Sequence, residues 1–147
     1  MFRLKRKVQY YETDAMQVVH HSNYIRWFEE IRLQAMEEMG TPYPMLEEMG
    51  FICPVLTVNC EYHKSARFGC TVEIRAALTE NRAVRSSWVY AIVDADTNEL
   101  YACGTSTHCF LQKGAVVSLK KECPEVYETM NRFVSNETVK DLKAAMQ

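Results

Sequence analysis

The chain has 147 residues, 48% of them hydrophobic, with a formal net charge of −2 at pH 7; this suits one domain with a real core, about 70% of the unfolded surface being buried at such a length. The charge balance gives no reason to expect a nucleic-acid or membrane-surface binder, although Arg3, Lys5, Arg6 and Lys7 form a basic start that reads as the solvated face of an edge strand. No apolar run reaches the roughly 20 residues of a membrane span and no apolar signal core follows the basic residues, so a cytoplasmic location is expected.

Residues 2 to 10 alternate, with Phe2, Leu4, Val8 and Tyr10 on one side and Arg3, Lys5, Lys7 and Gln9 on the other, which predicts a half-buried strand. A loop with one aspartate, Asp14, then leads to His20 and His21. From Asn23 to Met39 the period becomes helical: Tyr24, Phe28, Ile31, Ala35 and Met39 recur every three or four residues, and Trp27 and Met36 widen the stripe. Ser22 is the expected N-cap and Gly40 the expected stop. Thr41 to Gly50 reads as a turn and a short helical piece.

Strands follow. Leu56, Val58, Cys60 and Tyr62 are expected to face inward, as are Cys70, Val72, Ile74, Ala76 and Leu78, with Thr71, Glu73, Arg75 and Thr79 on the wet side. Val84 to Val93 is apolar on both parities in its second half, as a central strand covered on both faces would be. Asp94 to Glu99 reads as a hairpin turn, and Leu100 to Gln112 as the returning strand, with Gly104 a candidate bulge. Pro124 to Val134 and Thr138 to Met146 look helical, broken at Ser135-Asn136. This order predicts an α+β domain in which an antiparallel sheet of about five strands wraps one long helix and carries a helical tail.

Six cysteines (Cys53, Cys60, Cys70, Cys103, Cys109 and Cys123) fall at irregular spacings without a C-x-x-C pair, which argues against zinc and for reduced, mostly buried thiols. The adjacent His20 and His21 raise metal binding, but neighbours at i and i+1 at a helix start are expected to diverge, and no metal site is expected.

Asp14 lies seven residues before His21, where the long helix begins. A helix start offers unpaired N–H groups and the positive end of the helix dipole, so it can hold a developing oxyanion. A carboxylate facing that point is the least equipment needed to attack an acyl carbon. An aspartate is ordinarily ionised at neutral pH and weak as a pure base, so nucleophile and general base stay open. Plainer readings stand beside these: Asp14 as a turn residue, Tyr10 as core packing, Ser22 and Asn23 as helix caps, His21 as a mere N–H donor.

Asp14, the valines after it, and Asn23-Tyr24-Ile25-Arg26-Trp27-Phe28-Glu29 resemble the Asp-x-x-Gly-x-Val-x-x-x-Asn-Tyr-x-x-Trp signature of hot-dog-fold acyl-CoA thioesterases. The nearest branches are the 4-hydroxybenzoyl-CoA thioesterase-like enzymes and the Tol-Pal-associated acyl-CoA thioesterases. The likeness continues through Pro54 to Tyr62 and Arg82 to Trp88, over about residues 2 to 112. It implies a homodimer or homotetramer with sites at the subunit interface, an acyl-CoA substrate and no separate cofactor. It also implies that Asp14 acts on the thioester carbonyl, that His21 supplies a backbone N–H to its oxygen, and that Tyr10 and His21 match a tyrosine and a histidine of the Tol-Pal branch.

Gln17 stands where the signature has glycine, and an amide there could touch the acyl group or orient water. Coenzyme A calls for basic groups near the pocket mouth: Lys64 and Arg67 after one strand, Arg82 and Arg85 around the next hairpin, with Arg85-Ser86 resembling a nucleotide-proximal stretch in related enzymes. Two further readings remain: another reaction on the same fold, as in an acyl-carrier-protein thioesterase or a hydroxyacyl dehydratase, and a dimer that binds acyl ligands without turnover.

Overall fold

The structure, a computed structural model, describes residues 1–144. It contains β1 (Phe2–Lys7), a 3-10 turn (Tyr10–Glu12), α1 (Ser22–Glu38), α2 (Tyr43–Glu48), β2 (Phe51–Ile52), β3 (Val55–Tyr62), β4 (Thr71–Asn81), β5 (Arg85–Asp94), β6 (Leu100–Cys109), β7 (Leu111–Gln112), β8 (Ala115–Val116), α3 (Leu119–Glu122), α4 (Pro124–Asn131) and α5 (Val139–Ala144). Five strands form an antiparallel sheet in the order β1-β4-β5-β6-β3, and β2, β7 and β8 make a small second sheet. Among the described residues no helix is long and apolar enough to cross a membrane.

The central helix follows from its apolar stripe. Tyr24, Trp27, Phe28, Ile31 and Ala35 are buried at the spacing that puts them on one face, so α1 lies in the core against the sheet. It ends as expected at Gly40: the Gly40 N–H donates to Glu37 O (3.0 Å) and the Thr41 N–H to Met36 O (2.9 Å), with Gly40 at φ +84°. The N-cap is His21 rather than Ser22.

Three expectations need correction. First, β1 stops at Lys7: the Gln9 N–H donates to the Glu12 carboxylate (2.8 Å), the chain turns, and Tyr10 is solvent-exposed instead of continuing an inward parity. Second, β3 is an edge strand of the sheet, so Leu56, Val58 and Tyr62 are 40 to 47% exposed rather than packed inward. Third, Glu73 and Arg75 are buried, because α5 covers the outer face of the sheet, where Leu142 packs on Ala77, Val89 and Ala91. Arg75 donates to Glu73 Oε1 (2.6 Å) and to the Leu142 and Lys143 carbonyls (2.6 and 2.9 Å) at the C-terminal end of α5. The last residues of the expected tail helix, from 145, lie outside the described residues.

Gly104 is no bulge, since it pairs in register with Tyr90 and Cys60. A Cβ there would lie 2.1 Å from Asn59 O and 2.9 Å from the Phe28 ring. Bare backbone is therefore what lets α1 and β3 both approach β6.

Candidate active site at the start of the central helix

The Asp14 loop is a small hairpin. Thr13 and Val19 form an antiparallel bridge, the Asp14 N–H donates to Val18 O (2.9 Å), and the Gln17 N–H donates to Asp14 O (2.9 Å). Gln17 takes φ +64°, the left-handed region in which a non-glycine residue costs roughly 1–2 kcal/mol. The loop thus keeps the backbone shape expected of glycine, and the Gln17 side chain is exposed and away from the cavity described below.

Asp14 serves the turn with one oxygen only. Oδ1 accepts the Met16 N–H (2.8 Å), and Oδ2 has no hydrogen bond from the described residues. Neither oxygen is ion-paired with a lysine or arginine among them.

Glu12, almost fully buried, anchors this hairpin to α1. Its carboxylate accepts from Arg6, from the Gln9 N–H and from Trp27 Nε1 (2.8 Å); its carbonyl accepts from Asn23 Nδ2 (2.8 Å) and the His20 N–H (2.8 Å). Burial opposes ionisation of Glu12, but the hydrogen bonds from Arg6, Gln9 and Trp27 outweigh it and hold the carboxyl below its ordinary value. Arg6 also donates to Glu30 (2.9 Å) and lies over the Trp27 ring, so it is not the solvated cation the sequence suggested.

The helix start is finished by histidines. His20 Nδ1 accepts the Ser22 N–H (3.2 Å) and lies 2.8 Å from Ser22 Oγ, while the His20 carbonyl accepts the Asn23 N–H (2.9 Å). The His20 and His21 rings do not diverge but stack, with centroids 4.2 Å apart. The His21 N–H has no acceptor among the described residues. Tyr62 donates its hydroxyl to the His21 carbonyl (3.0 Å), tying the end of β3 to the helix start; burial, helped by Cys60, pushes its pKa up to about 12, so it stays a donor. Sequence parity made Tyr62 only an inward strand residue, and nothing local marked it as part of this site.

These groups enclose a cavity of about 240 Å³ walled by Asp14, Val19, His21, Tyr24, Tyr62 and Lys64. Lys64 is ion-paired with Glu99, and Arg67 is exposed nearby in sequence. Tyr10 leans edge-on against Phe68, at 5.6 Å between centroids, outside the cavity wall. Ser22 and Asn23 act on backbone and loop, through His20 and Glu12 respectively.

The remaining expected site residues lie at the other end of the chain's fold. Arg82 is exposed and paired with Glu80 (2.6 Å), and Arg85 is exposed, whereas Ser86 is buried on the wall of a second, larger cavity of about 350 Å³. Trp88, Phe110, Met36 and Met130 make that cavity apolar, and Arg32 and His108 supply its polar side. Arg32 donates to Tyr90 Oη (3.1 Å), Tyr90 Oη lies 2.6 Å from Ser106 Oγ, and Ser106 Oγ lies 2.7 Å from His108 Nε2. Burial and the nearby Arg32 charge push the His108 pKa down to about 4, against the pull of its hydrogen bond with the Pro54 carbonyl. The hydroxyls of Tyr90 and Ser106 and the neutral imidazole of His108 thus continue a hydrogen-bonded chain from Arg32 into the core. No spacing in the sequence joins these four residues, which come from α1, β5 and β6.

The cysteines are all free. Burial pushes the Cys53 thiol in the larger cavity up to about 12, and burial with Glu61 pushes Cys103 up to about 11, which leaves neither a ready thiolate. Glu61, His63 and Cys103 bring three potential ligand atoms within 4.8 Å of one another, a grouping the cysteine spacing alone did not suggest.

The thioesterase superfamily profile matches residues 16–101. An acyl-CoA thioester hydrolase, YbgC of Escherichia coli, is 29% identical over 102 residues, 68% of this chain and 75% of that protein. A hypothetical protein of Aquifex aeolicus with a crystal structure is 35% identical, at a TM-score of 0.79 over 86% of this chain and 99% of that one. A DHNA-CoA thioesterase from Staphylococcus aureus superposes with a TM-score of 0.85 at 27% identity, covering 89% of each chain. The chain belongs to the thioesterase superfamily and has its hot-dog fold. It is a thioester hydrolase.

Proposed function

We propose that this hydrolase cleaves acyl-CoA to a carboxylic acid and coenzyme A, as a dimer, with Asp14 acting on the thioester carbonyl. The observation that carries the reading is the Asp14 carboxyl on the wall of a cavity shared with the α1 start, with one oxygen uncommitted and the His21 N–H without an acceptor. A thioester carbonyl is electrophilic and its thiolate leaves readily, so a positioned carboxylate and an oxyanion donor meet the chemical need. Either Asp14 Oδ2 attacks the carbonyl carbon, the tetrahedral oxyanion collapses to expel the thiolate, and water opens the resulting anhydride; or Asp14 takes a proton from the water that attacks.

The dimer is supported by the open edge of β3. A free strand edge bearing half-exposed Val55, Leu56 and Val58 is a surface that pairs with another strand. Val55 borders the larger cavity and Tyr62 the smaller one, seven residues or roughly 23 Å apart along the strand. Antiparallel pairing of two β3 edges about a two-fold axis would set each smaller cavity beside the partner's larger one. One composite site would then hold the reacting carbonyl at Asp14 and the acyl group in the apolar cavity of the other subunit. Lys64, Arg67, Arg82 and Arg85 would ring its mouth, where the phosphates of coenzyme A belong. A cytoplasmic location, where acyl-CoA is met, fits this reading.

Thiol release from short, long and aromatic acyl-CoAs and from acyl-carrier-protein thioesters tests the proposal. We expect turnover of acyl-CoA, and Asp14→Asn to lower kcat about a thousandfold or more while binding persists. Full activity in Asp14→Asn, or release from carrier-protein thioesters alone, would contradict it.

A further inference from the structure

Glu61, His63 and Cys103 turn three different ligand atoms toward one point. Glu61 pairs with Cys103 across the ladder of β3 and β6, and the His63 N–H donates to Tyr101 O (2.8 Å), so the sheet fixes all three backbones. Glu61 and His63 alternate with Cys60, which packs on the core, and Tyr62, which leans edge-on against Tyr24. Nearly buried Cys103 forms the floor of this corner, and exposed Glu61 and His63 form its walls, with His63 also bordering the cavity at the α1 start. Cys103 Sγ lies 3.5 Å from His63 Nε2 and 3.7 Å from Glu61 Oε2, and those two atoms are 3.9 Å apart. Neither the Glu61 nor the His63 side chain has another hydrogen bond, and no lysine or arginine pairs with Glu61 among the described residues.

The nitrogen and oxygen are too far apart to hydrogen-bond, and the single thiol proton serves at most one of the two contacts with sulfur. A cation between the three atoms satisfies all of them. Zinc bonds of about 2.3 Å to sulfur, about 2.0 Å to nitrogen and about 2.1 Å to oxygen, spread tetrahedrally, set their ligand atoms about 3.4 to 3.6 Å apart. The two separations from sulfur match this, and only that between nitrogen and oxygen must shorten, by a turn of the exposed Glu61 carboxyl. A thiolate among the donors favours zinc over magnesium or calcium, and thiolate with carboxylate balances the two charges of the ion. We propose that Glu61, His63 and Cys103 form a zinc site that staples the edge strand β3 to β6, with water in the fourth position. On binding, the Cys103 proton passes to solvent, the sulfur–zinc bond replacing the S–H. The staple fixes the end of β3 from which Tyr62 reaches the His21 carbonyl. Its ligands come from strands 40 and 42 residues apart in sequence, which is why no cysteine spacing shows it. The site stands whether or not the acyl-CoA reading does.

The test titrates the full chain, stripped of metal by a chelator and kept reduced, with Zn2+ against a chromophoric competitor and with Co2+ for its absorption spectrum. We expect one Zn2+ per chain with a Kd of about a micromolar or below, unmoved by excess Mg2+, and a higher unfolding midpoint when zinc is present. Bound Co2+ should show a thiolate-to-metal charge-transfer band. Glu61→Gln and His63→Gln, both at exposed positions that leave the fold intact, should each weaken zinc by about tenfold or more, and Cys103→Ala should do the same and abolish the cobalt band. No zinc binding by the parent, or displacement of zinc by Mg2+ on equal terms, would overturn the proposal. Zinc held at the parent's affinity by any of the three variants would also overturn it, by placing the metal on other side chains.

Discussion

The two cavities are built on different principles. At the start of α1 the polar groups are supplied by backbone and turn geometry: a hairpin with a left-handed Gln17, an N–H at a helix start, and one carboxylate with an oxygen to spare. At the far end they come from side chains of three elements, threaded through the core from Arg32 to His108. The first arrangement suits the proposed step that every thioester shares, because its carboxylate and N–H would meet only the carbonyl. The second suits discrimination among acyl groups, because each side chain can be changed without moving the hairpin.

The same contrast sets what should break each end. The Glu12 carboxylate holds the hairpin to α1 through Arg6, Gln9 and Trp27, so Glu12→Ala leaves the Trp27 Nε1–H and the Gln9 N–H without an acceptor and Arg6 with Glu30 alone, and should lower stability by about 3 kcal/mol in denaturant titration. Gly104 lies between the two ends, where a methyl would collide with Asn59 O and the Phe28 ring. Gly104→Ala should cost about 3 kcal/mol and loosen both cavities at once, read as lower kcat/KM for all substrates.

Acid should separate the two ends by window. His108 has a folded pKa of about 4 against an ordinary 6.5, so between these values the unfolded chain binds the extra proton and stability falls as pH drops from 6.5 to 4. The expected loss is about 2–3 kcal/mol, and His108→Gln should flatten that part of the curve. Glu12 has a depressed folded pKa, so its contribution is complete above its ordinary 4.5 and is lost as pH falls through the lower folded value. Glu12→Gln should flatten only this lower part. A stability profile whose upper window is unchanged in His108→Gln would refute the assignment of a buried neutral imidazole.

The smallest expected effect is at Gln17. Gln17→Gly relieves a left-handed side chain at the cost of a more flexible unfolded chain, and should raise stability by no more than about 1 kcal/mol. Since the Gln17 side chain is exposed and outside the cavity wall, acyl preference should not move. A changed preference would bring the side chain back as a substrate contact.

How much of this was legible in the sequence follows the range of each interaction. The α1 face, its Gly40 stop and the central strand β5 were readable because a period of 3.6, a glycine at a helix end and a doubly apolar run are local signals. That Asp14 and His21 lie on one cavity wall was readable because the loop between them is short. The buried Glu73 and Arg75 were not, because alternation cannot say that α5 will cover the outer face. β3 alternates as an inward strand would, yet its position at the sheet edge exposes it. Tyr10 was misread as strand because Gln9 and Glu12 form a turn whose hydrogen bonds depend on Arg6 and Trp27. The hydrogen-bonded chain from Arg32 spans residues 32 to 108, with no local pattern at all.

The central claim is that catalysis joins the Asp14 end of one subunit to the apolar cavity of the other, and subunit mixing tests it most directly. Asp14→Asn removes the carboxylate proposed to react, and Leu33→Trp fills the mouth of the larger cavity, which Leu33 borders with its side chain partly exposed. Each variant alone should be nearly inactive, but a random equimolar mixture of subunits should recover about a quarter of parental activity, because each mixed dimer holds one intact composite site. A mixture no more active than its two components would place both halves of the site within one subunit and contradict the account.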